Sequence, residues 1–131
     1  MALLFLGGCV HPKRATTAGS LREAYKDDFL IGTAVNERIV SGADKAAQAI
    51  VRQQFNSITV ENVMKAEPIN PRPGVFNFGP ADAFVAFGES NGMLIVGHTL
   101  VWHNQTPAWF FQDEKGEPNT REAQKERLRK H

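Results

Sequence analysis

Apolar runs of strand length alternate with helical patterns along this chain, and this alternation constrains the fold more than any other feature. The predicted strands cover residues 29–35, 55–61 and 93–101. Helices are predicted over residues 20–27, 44–54 and 80–91, and a last helix is predicted to begin at Asn119. Strands that alternate with helices pair in parallel through right-handed crossovers. The sequence therefore predicts an α/β fold, as a sheet or a barrel.

Local signals mark where the predicted helices begin and where the chain leaves regular structure. Ser20 and Glu23 form a capping box, in which the two side chains satisfy free backbone N–H groups. Asn119, with Glu122 three residues later, opens the last helix in the same way. The segment from residue 62 to residue 79 is rich in proline, which stops helices and strands, so it is predicted to be one long loop.

Polar and aromatic groups follow the second and third predicted strands. A carboxylate, an amide and an ammonium group lie within five residues after strand two, on Glu61, Asn62 and Lys65. Two imidazoles, an indole and an amide end strand three, on His98, Trp102, His103 and Gln105. Ligand chemistry in parallel α/β folds lies at the carboxyl ends of the strands. Flat aromatic rings beside hydrogen-bonding groups suit a sugar, so these residues are the candidate site.

Each group also has a simpler explanation, and the residues alone leave it open. Glu61 and Lys65 could form a solvated salt bridge, since charged pairs on protein surfaces are common and most contribute little. His98 could be a core histidine bonded to the backbone. Trp102 and Trp109 could be packing residues, although the polar neighbours of Trp102 make that explanation harder for it.

Metal, cofactor and nucleic-acid sites are not predicted. His98 and His103 are an odd number of residues apart, which on one continuous strand places them on opposite faces, and no third ligand is evident. The single Cys9 excludes an intrachain disulfide and a cysteine-based zinc site. The glycines match no nucleotide-binding fingerprint. A net charge of +1 gives no electrostatic case for nucleic acid.

Residues 1–19 form an apolar leader and a tether ahead of the regular pattern. The leader resembles the end of a secretory signal peptide, although no Lys or Arg precedes its apolar run. The segment LGGC, which ends at Cys9, resembles the lipobox of bacterial lipoproteins. This predicts a secreted protein or a periplasmic or outer-membrane lipoprotein of a bacterium, with a lipid anchor on Cys9.

Three motifs in register carry a resemblance to a known family. They are ENVMK at residues 61–65, PRPGVFNF at residues 71–78 followed by an Ala-Asp pair, and GHTLVWHNQTP at residues 97–107. Together they resemble the amino-terminal third of family 10 glycoside hydrolases, the endo-β-1,4-xylanases. The resemblance implies a (β/α)8 TIM barrel, of which residues 20–131 would form about three β/α units. The chain of 131 residues is short for such a barrel, which normally needs about 250.

The resemblance also implies a role for each candidate residue. The xylose unit on the non-reducing side of the cleaved bond would be bound by Glu61, Asn62 and Lys65. The position next to that bond would be lined by His98, Trp102 and Gln105, with His103 supporting this wall. The implied partner is xylan or a xylo-oligosaccharide, without a cofactor, and the full-length protein is expected to be a monomer.

The implied reaction is retaining hydrolysis of β-1,4-xylosidic bonds by two glutamates. In the family the acid/base follows the fourth strand and the nucleophile lies on the seventh, so neither falls within this sequence. No residue here is therefore predicted to be catalytic, and the 131 residues alone are expected to be inactive. Two other classes remain open: a non-catalytic carbohydrate-binding module, and a metal-dependent barrel hydrolase that would use the histidine pair.

Overall fold

The structure is a computed structural model that describes residues 19–131. The predicted leader, lipobox and Cys9 lie outside the described residues. Along the chain the elements are α1 (Leu21–Ala24), β1 (Gly32–Val35), α2 (Glu37–Val40), α3 (Lys45–Gln54), β2 (Ser57–Val60), α4 (Ala66–Ile69), α5 (Gly79–Ser90), β3 (Leu94–Val96), a 3₁₀ helix (Ala108–Phe110) and α6 (Arg121–Lys130). No helix in this part of the chain is long and apolar enough to cross a membrane.

The three strands form one parallel sheet in the order β1-β2-β3, which confirms the predicted α/β fold. Ser57 of β2 is the register partner of Gly32 on one side and of Leu94 on the other. Helices α2 and α3 connect β1 to β2, and helices α4 and α5 connect β2 to β3. All three strands therefore end at the same edge of the sheet, where the predicted site residues follow β2 and β3.

The two faces of the sheet differ sharply in burial. Ile58 and Val60 of β2 point to the helices and are 0% and 3% exposed. Successive residues of a strand face opposite sides. Leu94 and Val96 of β3 point the other way, and they are 54% and 41% exposed within the described part of the chain. Glu61 continues the ladder by donating its N–H to the carbonyl of Val35 at 3.0 Å, so its side chain follows the open face.

Helix α5 packs closely on the covered face. Phe84 is 1% exposed and Phe87 is 6% exposed. Gly88 lies against β3, where an added Cβ would stand 2.6 Å from Cγ1 of Ile95. The core that results also contains Val35, Val51, Ile58, Val60, Val63 and Met93. Burial of these side chains supplies the main stabilisation of the described fold.

The third strand is shorter than predicted, because it ends at Val96 and not at residue 101. The register explains why the strand cannot reach residue 101. Val96 pairs with Thr59, so residues 98–101 would need partners beyond Val60, where β2 ends. The apolar residues beyond the strand are not covered by the sheet, and Leu100 is 81% exposed. The first strand likewise begins at Gly32 and not at residue 29, level with the start of β2.

Two further local predictions were wrong. The predicted long loop after β2 contains the short helix α4, which buries Ala66 and Ile69. Helix α6 is capped by Thr120 and not by Asn119, because the Thr120 hydroxyl accepts from the N–H of Ala123 at 3.2 Å. The predicted cap at Ser20 is confirmed, although the helix that it begins ends at Ala24.

Candidate functional site

The predicted site residues lie on two segments at the carboxyl edge of the sheet. We call residues 61–78, which follow β2, the first site loop, and residues 97–120, which follow β3, the second site loop. The first carries Glu61, Asn62 and Lys65. The second carries His98, Trp102, His103 and Gln105. Because β2 and β3 are parallel neighbours, the two loops begin side by side.

Lys65 joins the two loops. Its side chain is only 8% exposed, and its Nζ donates to Oδ1 of Asn62 at 3.0 Å. Nζ also donates to Oε1 of Gln105, forty residues further along the chain. The same ammonium lies 4.9 Å from the centre of the Trp102 ring, within the range of a cation–π contact. The predicted cluster of Asn62, Lys65, Trp102 and Gln105 is therefore brought together in space.

Trp102 is flanked by both histidines of the second site loop. The centre of its ring lies 6.0 Å from that of His98 and 5.0 Å from that of His103. Both imidazoles meet the indole at an interplanar angle of 72°, which is the edge-to-face arrangement that aromatic pairs favour. The imidazoles therefore lie on either side of the indole, and both histidines are exposed.

Besides its bond to Lys65, Gln105 ties the second site loop to the first at two further points. Its φ is 51°, a left-handed conformation that non-glycine residues seldom adopt. Its Nε2 donates to Oδ1 of Asn62 at 3.4 Å, and its backbone carbonyl accepts from the N–H of Glu67 at 2.8 Å. The relative position of the two loops is thus set by side-chain and backbone contacts together.

Glu61 stands apart from this network. Its carboxylate is exposed, and in the described part of the chain it makes neither a hydrogen bond nor an ion pair. Lys65 meets amide oxygens and an indole, so the alternative of a salt bridge between Glu61 and Lys65 does not describe this structure. The carboxylate of Glu61 is consequently free to accept hydrogen bonds from a ligand.

A support behind the site was not predicted from the sequence. Nε1 of Trp109 donates to the carbonyl of Asn70 at 3.1 Å, which joins the second site loop to the first. Arg127 of α6 lies over the Trp109 ring at 5.7 Å and donates to the carbonyls of Trp109 and, at 2.7 Å, Gln112. Trp109 is therefore a bridge between the loops as well as a packing residue. The sequence held no signal for this support, because Arg127 is one of several basic residues in α6 and nothing in the pattern sets it apart.

The prediction that strand alternation places His98 and His103 on opposite faces was wrong. Both residues lie beyond the end of β3, so strand alternation does not apply to them. They are instead separated by the Trp102 ring. Among residues 19–131, no three His, Cys, Asp or Glu side chains are grouped closely enough to hold a metal ion.

A cavity of about 670 Å³ lies away from all but one of the predicted site residues. It opens on the helix side of the sheet, between α2, α3 and α5, and Val35, Val60 and Phe84 lie in its wall. Asn62 is the only predicted site residue that lines it. A sugar needs several polar partners together with an aromatic face, and in the described residues the loop cluster provides that combination.

Residues 20–131 match the family model described as glycosyl hydrolase family 10. The chain is 48% identical over 111 residues to an endo-1,4-beta-xylanase/feruloyl esterase of Xylanibacter ruminicola, covering 85% of this chain and 15% of that protein. Among solved structures it resembles xylanase XynB from Paenibacillus barcinonensis complexed with a conduramine derivative. The TM-score is 0.76 at 40% identity, over 87% of this chain and 33% of that one.

A mutant structure in complex with xylotriose also matches, with a TM-score of 0.76 at 43% identity over 84% of this chain and 32% of that one. The chain thus spans about a third or less of the length of these relatives. The matched residues include both site loops and all three strands.

Proposed function

Because the chain belongs to glycosyl hydrolase family 10 and forms part of the family's (β/α)8 barrel, we propose that the protein is an endo-1,4-β-xylanase. Residues 61–105 would supply the sugar-binding surface on the glycone side. One observation carries this proposal: the ammonium of Lys65 is held by amides of both site loops and by the Trp102 ring. The proposed reaction is retaining hydrolysis of β-1,4-xylosidic bonds in xylan.

The chemistry of the cluster suits a xylose unit. Glu61 offers an acceptor and Lys65 a donor for ring hydroxyls, while Asn62 can serve as both. These three residues are proposed to bind the xylose unit on the non-reducing side. The position next to the scissile bond is proposed to be lined by His98, Trp102 and Gln105, with His103 as support. The indole face gives the apolar C–H surface of the sugar a flat partner.

We assign no catalytic residue to this sequence. A retaining glycosidase needs two carboxyl groups about 5 to 5.5 Å apart on either side of the scissile bond. The family resemblance places these glutamates on the fourth and seventh strands, and Glu61 is proposed to be a substrate ligand. The 131 residues alone are therefore expected to bind xylo-oligosaccharides without hydrolysing them.

Titration of the full 131-residue chain with xylotriose tests the binding assignment. In Lys65→Met the ammonium is lost while the aliphatic stem is largely preserved, so calorimetric affinity should fall at least about tenfold, as for a hydrogen bond made by a charged group. Lys45→Met is the matched control, because Lys45 is an exposed residue of α3 outside the site loops. Equal affinities of the two variants would refute the role of Lys65.

A reducing-sugar assay on birchwood xylan tests the assignment of catalysis. The full chain should release no reducing ends above a blank that contains no protein, since the proposed acid/base and nucleophile are not among its residues. Measurable turnover by the purified chain would refute this expectation. Turnover lost on Glu61→Gln would then identify Glu61 as a catalytic carboxyl group.

We also propose that the protein is exported by a bacterium and anchored through a lipid on Cys9. Support comes from the sequence LGGC alone, which lies outside the described residues. Expression in a bacterial host with labelled palmitate should give a labelled membrane-fraction protein, and Cys9→Ser should abolish the label. A label retained by Cys9→Ser would refute the anchor. The full-length protein is proposed to be a monomer, which light scattering would test.

A further inference from the structure

A single hydroxyl closes the turn that carries Trp102 and Gln105. Oγ1 of Thr106 donates to the carbonyl of Trp102 at 2.5 Å. The N–H of Trp102 donates back to the same oxygen at 3.4 Å. Both backbone polar groups of Trp102 are thus bound to one side chain four residues later. Thr106 is partly buried, so these bonds compete only in part with water.

The turn needs such a closure, because Gln105 adopts a left-handed conformation with φ 51°. For a residue with a Cβ this conformation is less favourable than the right-handed one, because the Cβ approaches the following carbonyl oxygen. In this turn the Gln105 side chain reaches Lys65 and Asn62, and its carbonyl accepts from the N–H of Glu67. The hydroxyl of Thr106 and these contacts oppose the tendency of the turn to open.

The closed turn also sets the direction of the indole. With the backbone of Trp102 bound on both sides, its ring lies between His98 and His103 and over the ammonium of Lys65. Thr106 makes its hydrogen bonds to the backbone of Trp102 and not to the indole or the ammonium. Its influence on the cluster therefore passes through the main chain of the turn.

We propose that Thr106 is a positioning residue, whose hydroxyl holds the Trp102 indole and the Gln105 amide against Lys65. The inference rests on the proposed function only for the meaning of that surface as a xylose-binding site. The geometry of the turn can be tested without any sugar. The hydroxyl is the group that matters, because the methyl group of threonine cannot form either bond.

Thr106→Val is the informative variant, since it replaces the hydroxyl by a methyl group of similar size. Thr106→Ser keeps the hydroxyl and should behave like the original chain. Thr33→Val is the matched control, because Thr33 lies in β1 and, within residues 19–131, its hydroxyl bonds only to the carbonyl of Ala34, at 3.4 Å. Far-UV circular dichroism establishes that each variant is folded.

The first readout is the indole N–H resonance in ¹H–¹⁵N spectra of the full chain without sugar. The chain has 2 tryptophans, so Trp109 serves as an internal reference. Thr106→Val should move or broaden the Trp102 signal and leave that of Trp109 in place. Thr106→Ser and Thr33→Val should move neither. An unchanged Trp102 signal in Thr106→Val would overturn the proposal.

The second readout is the dissociation constant for xylotriose. Thr106→Val should raise it about fivefold, as expected when one hydrogen bond no longer organises the site, and Thr106→Ser should restore it. Equal loss in Thr106→Val and Thr106→Ser would show that the hydroxyl is not the cause and would overturn the proposal. If the original chain binds no xylotriose, the proposed function fails, and the indole signal still decides the role of Thr106.

Hydrogen exchange covers the case in which Thr106→Val does not fold. In the original chain the amide of Trp102 should exchange more slowly than that of Asn104, an exposed residue of the same turn. Slow exchange at Trp102 supports the hydroxyl contact. Exchange of the Trp102 amide at the rate of Asn104 would overturn the proposal.

Discussion

The helix-covered face of the sheet and the site loops at its carboxyl edge are held together by different kinds of interaction. On the helix side, Ile58, Phe84 and Phe87 are almost completely buried, and Gly88 allows α5 to approach β3. In the site loops, by contrast, the organising contacts are polar: an ammonium, two amides and a hydroxyl, arranged around one indole. Stability should therefore depend on the helix side and sugar binding on the loops, so substitutions in the two regions should separate these properties.

Phe84→Ala should have the largest effect and should test the helix side most severely. Phe84 is 1% exposed, so truncation removes most of its apolar contacts and leaves a cavity. The free energy of unfolding should fall by about 3 to 5 kcal/mol in urea denaturation. Phe111→Ala is the control, because Phe111 is 43% exposed and the same truncation should cost far less. Equal losses would show that the core is not centred on α5.

Gly88→Ala should have the next largest effect, because the added Cβ would stand 2.6 Å from Cγ1 of Ile95 and 3.1 Å from Cδ1 of Ile58. Overpacking of this kind costs about 1 to 3 kcal/mol, which offsets or exceeds the gain of about 1 kcal/mol from replacing a helical glycine. Gly19→Ala is the matched control, since nothing lies within 4 Å of its added Cβ. A more stable Gly88→Ala chain would contradict the close contact between α5 and β3.

Trp109→Phe should have the smallest effect on stability, and it tests whether Trp109 contributes to sugar binding as well as to packing. It removes the bond from Nε1 to the carbonyl of Asn70 while it keeps an aromatic ring beneath Arg127. The free energy of unfolding should fall by about 1 kcal/mol, and xylotriose affinity should fall as well, because the bond joins the two site loops. Loss of stability with unchanged affinity would assign Trp109 to packing alone.

The sequence predicted the parallel α/β arrangement because strand and helix periodicities are local properties of the chain. It also predicted which residues gather at the sheet edge, since parallel strands end on the same side. The end of β3 was missed because the run continues through Leu100 and Val101, whose exposure of 81% and 38% no local pattern could reveal. The runs of apolar residues were thus a better guide to the existence of a strand than to its end.

Contacts between distant residues account for the rest of what the sequence could not show. The bond from Lys65 to Gln105 spans forty residues, and it depends on the left-handed conformation of Gln105. The link between Asn70 and Trp109 spans thirty-nine. Neither residue type nor spacing predicts such pairs, because they depend on how two irregular loops fold over one another.

Titration of the ¹⁵N-labelled chain with xylotriose, followed at every backbone and indole resonance, shows whether the two site loops form one sugar-binding surface. The resonances that shift should be confined to residues 61–65 and 98–106, with the Trp102 indole among the largest shifts. Shifts centred on the cavity beside Phe84 and Phe87, with the Trp102 and Lys65 signals unchanged, would contradict this expectation.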